Sequence, residues 1–354
     1  MEARLQRRLQ RQGWDLAVDA YEPLWQAQLA GAQAALLAGA ALALALAFGS
    51  HAIAPAQLLR VLLRPDDSVE AQIVHELRLP RALVAFGTGG LLALAGALMQ
   101  VLLRNPLADP YVMGASGGAA VGALGAMLCG LGAAFTQGAA FGGALASTAL
   151  VFALARREFA GAALTDPGLG APRLLLAGVM LAALWTALVT LLLTLSPEAR
   201  IRGMLFWLAG DVSAGSGGAT SLAVLAALVV LVWPLGRSLN VMLRGPVTAL
   251  SLGVRVVALR RVLFVCASLA TAVAMTSSGA VGFVGLVVPH ALRLAIGNDQ
   301  RVLLPACALA GGALLSIADT AARTVVAPQQ LPVGLLTALL GVPTFLALLL
   351  GRAR

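Results

Sequence analysis

The sequence predicts an all-α polytopic membrane protein with ten transmembrane helices. Hydrophobic residues make up 60% of the 354-residue chain and charged residues only 11%, which is more apolar surface than one soluble core could bury. Uncharged runs of about 20 residues, the length that a bilayer-spanning helix needs, recur along the whole sequence. The chain is therefore predicted to cross a membrane many times.

Eight of the uncharged runs predict one span each, at 29–49, 82–103, 111–133, 137–155, 174–195, 219–236, 302–318 and 331–351. A further run, 262–292, is too long for one comfortable span. Arginines such as Arg4 and Arg352 place both chain ends on the cytoplasmic side, so the number of spans must be even. Splitting the long run at Ser277-Ser278-Gly279, with its first helix beginning near Val254, gives ten.

The first 22 residues are charged and contain no apolar run of signal-peptide length. We expect 1–28 to be a cytosolic amphipathic segment and 29–354 to be a single transmembrane domain. Leu5, Leu9 and Leu16 recur near helical spacing, which fits a helix lying on the lipid headgroups and equally fits a frayed tail.

All 24 basic residues are arginine, and the sequence contains no lysine. A phosphate-binding P-loop needs Gly-Lys-Ser/Thr, so the chain cannot hydrolyse ATP by that route. Any energy from ATP must come through another subunit. The net charge of +9 does not indicate nucleic-acid binding, because excess arginine is expected in the cytoplasmic loops of a membrane protein.

Residues that could hold a metal or couple transport to an ion gradient are sparse. Cys129, Cys266 and Cys307 lie in apolar runs without metal-ligand spacing, so no metal site is predicted. Carboxylates are nearly absent from the predicted spans, whereas ion-coupled carriers usually keep them there. This disfavours an ion-gradient-driven secondary carrier or channel, which stays the alternative hypothesis.

Three arginines lie at predicted outer ends of spans, against the inward bias of the others. Arg78 and Arg81 flank Pro80 before the second span, and Arg323 ends the ninth. Such charges could dock a partner, bind lipid phosphates or, for Arg323, pair with Asp319 four residues earlier. The residues alone leave these alternatives open.

The longest inner loop, 237–261, reads RSLNVMLRGPVTALSLGVRVVALRR. It is too apolar for an idle linker and predicts short helices. These could present an apolar face to a cytosolic subunit or lie in the membrane interface.

Glycine is frequent, with 39 residues, and often recurs at helical spacing, as in Gly118 with Gly122 and Gly138 with Gly142. Small residues at this spacing let membrane helices approach closely. Most are expected to serve packing, and the rest could line a path that flexes.

Several ordered motifs resemble the permease subunits of type II ABC importers, the family that takes up iron-siderophores, haem and vitamin B12. The motifs are RLPR at 78–81, GALMQ at 96–100, RNPLADP at 104–110, GASGGA at 114–119, FWLAGDVS at 206–213, GFVGLVVPHALR at 282–293 and LPVGLLTALLGVPTFLALLL at 331–350. The resemblance extends over nearly everything after residue 30.

The resemblance implies a permease in the bacterial inner membrane that pairs with a second copy of itself. Its other expected partners are two cytoplasmic ATPase subunits, which bind the ATP and magnesium, a periplasmic substrate-binding protein, and membrane lipid. No cofactor is expected in this chain. The fifth and tenth helices should lie at the dimer interface and along the path, and the cargo should be a corrinoid, haem or a ferric siderophore.

The resemblance also assigns residues. Arg78, Arg81 and Arg323 match arginines that meet acidic residues of the binding protein. The loop 237–261 matches the segment that couples to the ATPase, with Asn240, Ala249, Leu252 and Gly253 as the expected contacts. Gly114, Ser116, Gly117 and Gly118 are expected in close packing or along the path. Where many relatives carry acidic residues, this loop reads Arg244-Gly245-Pro246-Val247-Thr248, which leaves its charge pairing with the ATPase open.

Overall fold

A computed structural model describes residues 31–49, 53–63, 68–156, 170–212 and 217–351. Throughout these ranges the regular secondary structure is helical, which confirms the all-α class. The predicted cytosolic segment 1–28 lies outside the described residues.

The helices, numbered in chain order, are α1 Gly31–Ala47, α2 Pro55–Leu63, α3 Val69–Leu103, α4 Ala115–Leu128, α5 Ala133–Leu154, α6 Gly170–Thr194, α7 Glu198–Leu208, α8 Gly218–Val232, α9 Gly236–Leu243, α10 Pro246–Ser251, α11 Val256–Ser278, α12 Val284–Ile296, α13 Gln300–Thr324 and α14 Val333–Gly351. A short 3₁₀ turn, Pro110–Met113, precedes α4.

Six helical runs among the described residues are long and apolar enough to cross a membrane, and four shorter apolar helices accompany them. The long runs contain α3, α5, α6, α8 with α9, α11 and α13, and the shorter helices are α1, α4, α12 and α14. They follow the predicted spans in the same order, so the protein is a multi-pass membrane protein and the ten-span count fits. The long run also divides as predicted, because α11 ends at Ser278 and α12 begins at Val284.

Two helices did not appear in the sequence prediction. α7 contains Glu198, Arg200 and Arg202, so it interrupts rather than extends an apolar run. α2 is only nine residues long. A search for uncharged runs of membrane length passes over both.

The centre of the molecule is α3, whose most apolar stretch is 94% buried. It packs against α8, α11, α12 and α13. Glycines permit this, because a methyl group at Gly89 would overlap the carbonyl of Gly311, and one at Gly96 would overlap the carbonyl of Gly285. The backbones thus meet directly, as small residues allow in membranes.

The helices α4 and α5 form a hairpin in which glycines likewise let the two backbones come into contact. A methyl group at Gly118 would meet the carbonyl of Gly143, and one at Gly122 would meet that of Ala139. Gly138 and Gly142 differ: within the described ranges no atom lies within 4 Å of the place where their Cβ would be. The expected close packing therefore holds for Gly118 with Gly122, whereas the described residues show no such contact for Gly138 with Gly142.

The outer end of α3, meaning the end predicted to face outside, changes its hydrogen-bond register just before a proline. Ile73–Arg78 is π-helical, and the N–H of Leu79 donates to the carbonyl of Val74. Pro80 has no N–H to donate to the preceding turn, and a π-turn is one way for a helix to accommodate such a residue. Arg78 ends this π-helical turn, and Arg81 follows it by three residues.

Candidate docking and coupling sites

Arg81 forms a bidentate ion pair with Asp319 across the outer ends of α3 and α13. Its Nε lies 3.1 and 3.0 Å from Oδ1 and Oδ2 of Asp319, and its Nη2 lies 2.8 Å from Oδ1. Its Nη1 donates to Oε1 of Gln330 at 2.9 Å. The Asp319 side chain is only 1% exposed. Two parallel N–H···O bonds of this kind fix the guanidinium plane as well as its charge.

Arg323 shares the same carboxylate. Its Nε lies 3.2 Å from Oδ2 of Asp319, and its Nη2 donates to the carbonyl of Ala45 at 3.2 Å. The pairing with Asp319 that the four-residue spacing suggested is therefore present. This pairing does not separate Arg323 from the other predicted docking residues, because Asp319 also pairs with Arg81.

Arg78 contacts the end of α1. Its Nη1 donates to the carbonyls of Leu46 and Ala47 at 2.7 and 2.9 Å, and the residue is 4% exposed. The last carbonyls of a helix have no partner within it and carry partial negative charge, so a guanidinium satisfies them well. Arg78 thus ties α1 to α3.

The structure brings the three predicted docking arginines into one group, the outer arginine cluster of Arg78, Arg81, Arg323 and Asp319. The sequence pointed to the arginines but not to their shared acceptor. Arg81 and Asp319 are 238 positions apart, and no local spacing links them. The docking role of these arginines stays a prediction.

The predicted coupling segment 237–261 contains two short helices, α9 and α10, as expected. Gly245 and Gly253 lie at its turns with φ of 121° and 80°. Val247 and Leu252 are 62% and 63% exposed, so the segment presents apolar side chains. Ala249 is fully buried and lies beneath that exposed face rather than on it.

Asn240 joins α9 to the start of α13. Its Nδ2 donates to Oδ1 of Asp299 at 2.8 Å, and its Oδ1 accepts from the backbone N–H of Gln300 at 2.9 Å. Asp299 also accepts from Arg301, and this hydrogen bond is the main reason that the pKa of Asp299 falls to about 2. Asp299 is therefore charged throughout the physiological pH range, and the junction contains a carboxylate that stays ionised.

The GASGGA residues pack against α5 and α6. Ser147 donates to the carbonyl of Gly114 at 2.8 Å, and Nε1 of Trp185 donates to Oγ of Ser147 at 2.8 Å. A methyl group at Gly117 would overlap the Trp185 side chain. Gly114, Gly117 and Gly118 thus have close-packing contacts in this chain, and Ser116 is half-buried. Sequence reasoning did not find Trp185, which carries no motif signal of its own.

A cavity of about 410 Å³ lies between the RNPLADP loop, α6 and the turn before α12, lined by Asp109, Tyr111, Val179, Ala182, Gly282 and Phe283. The Tyr111 hydroxyl donates to the carbonyl of Val281 at 2.7 Å, and Asp109 accepts from the Tyr111 N–H at 2.7 Å. Burial raises the pKa of the Asp109 carboxyl, and that backbone hydrogen bond opposes the rise. The cavity is mostly apolar, with one carboxylate.

Metal-ligating side chains do not gather in the part of the chain that the structure describes, where no group of three or more His, Cys, Asp or Glu residues could hold an ion.

Comparisons with known proteins agree with this architecture. The sequence matches the FecCD transport family over residues 35–351. It is 40% identical over 301 residues to the vitamin B12 import system permease protein BtuC of Salmonella paratyphi A, a match that covers 82% of this chain and 88% of the relative. The same protein of Salmonella typhimurium strain LT2 is equally similar.

Two solved structures share the fold. One is described as an inward-facing conformation of a metal-chelate type ABC transporter, with a TM-score of 0.78, 28% identity, and coverage of 91% of this chain and 98% of that one. The other is PsaBC from Streptococcus pneumoniae in complex with a Fab, with a TM-score of 0.53, 18% identity, and coverage of 76% and 90%. The second supports the fold alone.

A family match across almost the whole chain, joined to a relative of 40% identity, leaves little room for another assignment. The chain belongs to the FecCD transport family and is a permease subunit of the ABC importer type.

Proposed function

We propose that this chain is the membrane permease of an ATP-driven importer that moves a metal chelate from the periplasm to the cytoplasm across a bacterial inner membrane. The observation that carries the proposal is the pair of contact sites at opposite ends of α13. Asp319 lies near its outer end together with the arginines. Asp299 lies just before its inner end and accepts a hydrogen bond from Asn240 of the coupling segment. A transporter with one partner on each side of the membrane needs two such sites.

The outer site is proposed to receive a periplasmic binding protein. The side chains of Arg81 and Arg323 are 12% and 10% exposed, so each offers a guanidinium edge rather than a whole group. Rim charges of this kind fix register and speed association more than they add affinity. An ion pair at the rim of an interface contributes roughly 0 to 1 kcal/mol. Salt screens such pairs, so docking should weaken as the salt concentration increases.

The inner site is proposed to contact the ATPase subunits through segment 237–261. Val247, Leu250 and Leu252 expose apolar surface there, while Asn240 fixes α9 to α13. Leu252 and Gly253 are the proposed direct contacts. Ala249 is proposed to support them from beneath.

The permease is proposed to act as a homodimer. α6 is the least buried of the six long apolar helices, at 11% over its most apolar stretch, and α14 also exposes large side chains such as Leu339 and Leu346. A second copy would cover part of these two faces, and lipid would cover the rest.

A corrinoid is the first candidate for the cargo, with haem and ferric siderophores as alternatives. The BtuC relatives are named for vitamin B12 import, and the solved neighbour of 28% identity is described as a metal-chelate transporter. Because all three cargoes are large chelates, a path of small and apolar residues would discriminate among them weakly. Selectivity would then reside in the binding protein.

Transport by reconstituted protein tests the function. The chain is placed in proteoliposomes with its ATPase, and uptake of cobalamin, haem and ferric siderophores is followed with candidate binding proteins. We expect uptake of one chelate that requires ATP, the ATPase and one binding protein. Uptake by the chain alone, driven by a proton or sodium gradient, would favour the secondary-carrier alternative instead.

A further inference from the structure

We propose that Asp319 is a positioning residue of the docking site, because it holds the guanidinium groups of Arg81 and Arg323 in the orientation in which they receive a carboxylate of the binding protein. This inference rests on the proposed function, since it takes Arg81 and Arg323 as docking residues. Asp319 itself does not touch the partner, because its side chain is 1% exposed.

The hydrogen bonds at Asp319 leave little capacity for anything else. A carboxylate offers about four acceptor positions. Three hydrogen bonds come from Arg81, at 2.8, 3.0 and 3.1 Å, and the Nε of Arg323 lies 3.2 Å from Oδ2 as an ion pair without a hydrogen bond. One buried anion therefore sets the plane of the first guanidinium and lies against the second.

The same anion keeps two cations together. Arg81 and Arg323 would repel each other without a carboxylate between them, and the repulsion is strong where water is largely excluded. With Asp319 in place the three side chains carry one net positive charge. Without it, the two long side chains would separate and sample other rotamers, and docking would have to order them again.

Gln330 marks the edge at which the partner would arrive. It accepts from Nη1 of Arg81 at 2.9 Å in an exposed position, on the side of the guanidinium that Asp319 does not occupy. A carboxylate forms a stronger bond to a guanidinium than a neutral amide oxygen does. An acidic side chain of the binding protein could therefore replace Gln330 while Asp319 keeps Arg81 in place.

The substitution Asp319→Asn separates this proposal from simple charge attraction. It preserves the shape of the side chain and removes one negative charge, so the net charge of the outer face becomes more positive by one unit. If the cluster acted only through its charge, an acidic partner would associate faster and bind more tightly. If Asp319 positions the arginines, dissociation becomes faster and affinity falls despite the added charge. Having to order two long side chains on docking corresponds to roughly a tenfold weaker complex or more.

The experiment uses the full chain in nanodiscs and the binding protein that supports uptake in the transport assay. Association and dissociation rates are measured for the unaltered chain, Asp319→Asn, Asp319→Glu, Arg81→Gln and Thr324→Val. Thr324 is the matched control, because its exposed hydroxyl bonds within its own helix, to the carbonyl of Thr320. In parallel, phenylglyoxal modification of Arg81 is followed by mass spectrometry without any partner.

We expect Asp319→Asn to dissociate about tenfold faster or more, because docking must then order the arginines, and to be modified faster at Arg81, while Thr324→Val matches the unaltered chain. Asp319→Glu keeps the charge but displaces it by one methylene, so it should also dissociate faster, and it decides the matter if the asparagine variant does not fold. Affinity that rises or stays unchanged in Asp319→Asn, with Arg81→Gln still defective, would overturn the positioning role alone. Unchanged docking in Arg81→Gln would instead overturn the docking assignment beneath it.

Discussion

Arg78 and Arg81 lie three residues apart on α3 and make different contacts. Arg78 donates to the last carbonyls of α1, whereas Arg81 pairs with Asp319 and reaches the exposed Gln330. The resemblance to the family treats the two arginines alike. Their contacts give Arg78 a structural task in addition to its predicted docking role, and they leave Arg81 with an edge towards the outside.

The variant Arg78→Gln should destabilise the protein by about 1.5 to 3 kcal/mol, because hydrogen bonds from a charged donor to the end of α1 are lost. Thermal unfolding in detergent measures this effect. Thr324→Val, at the outer end of α13, should leave the unfolding temperature unchanged. An unchanged temperature in Arg78→Gln would show that α1 does not depend on this contact.

Gly253→Trp should uncouple ATP hydrolysis from transport. Gly253 has φ of 80° and no atom of the described residues within 4 Å of its Cβ position, so a tryptophan would strain the turn and project into the space where the ATPase is proposed to bind. ATP hydrolysis and chelate uptake are measured together in proteoliposomes. Gly253→Asn, a residue that tolerates this backbone, should keep far more of the coupling. Normal coupled uptake in the tryptophan variant would contradict the assignment.

At the scale of helices, the order and extent of the spans could be predicted because apolar length is a local property. The division of 262–292 at Ser277-Ser278-Gly279 is an example, since small residues mark the break within the run itself. Contacts between distant helices could not be predicted. Neither the Arg81–Asp319 pair nor the hydrogen bond from Trp185 to Ser147 has a spacing signal, because both depend on how the helices pack.

The crossing of α3 and α13 should tolerate no added methyl group. Gly89→Ala would force the new Cβ against the carbonyl of Gly311, and overpacking of this kind costs about 1 to 3 kcal/mol. The matched control is Gly142→Ala on α5, where no described atom lies within 4 Å of the Cβ position. Thermal unfolding should separate the two variants clearly. Equal stability would mean that the helices can move apart without penalty.

On the scale of the whole molecule, burial divides the chain into an interior and a periphery. α3 is surrounded by other helices, whereas α6 and α14 expose apolar side chains. Hydropathy alone could not have separated the buried helix α3 from the exposed helices α6 and α14, because all three are apolar enough to lie in a membrane. Which spans face a second copy is likewise a question of packing.

Cross-linking should detect the proposed homodimer through α6. Met180 on α6 is 63% exposed and Leu154 on α5 is 61% exposed, so the two positions are matched in accessibility. With the exposed Cys129 changed to serine, Met180→Cys should give cross-linked dimers with a bifunctional maleimide in membranes, and Leu154→Cys should not. Equal dimer yields from both positions would contradict an interface on α6.

The central position of α3 has a consequence for how the protein is made. α3 is the second apolar span to leave the ribosome, yet Gly89 packs on Gly311 and Gly96 on Gly285, residues that are synthesised much later. Its glycine-lined surface must therefore face lipid or early helices while translation continues. The interior can close only after α12 and α13 have been inserted, so a chain truncated before residue 282 would leave the second span without two of the four helices that it packs against.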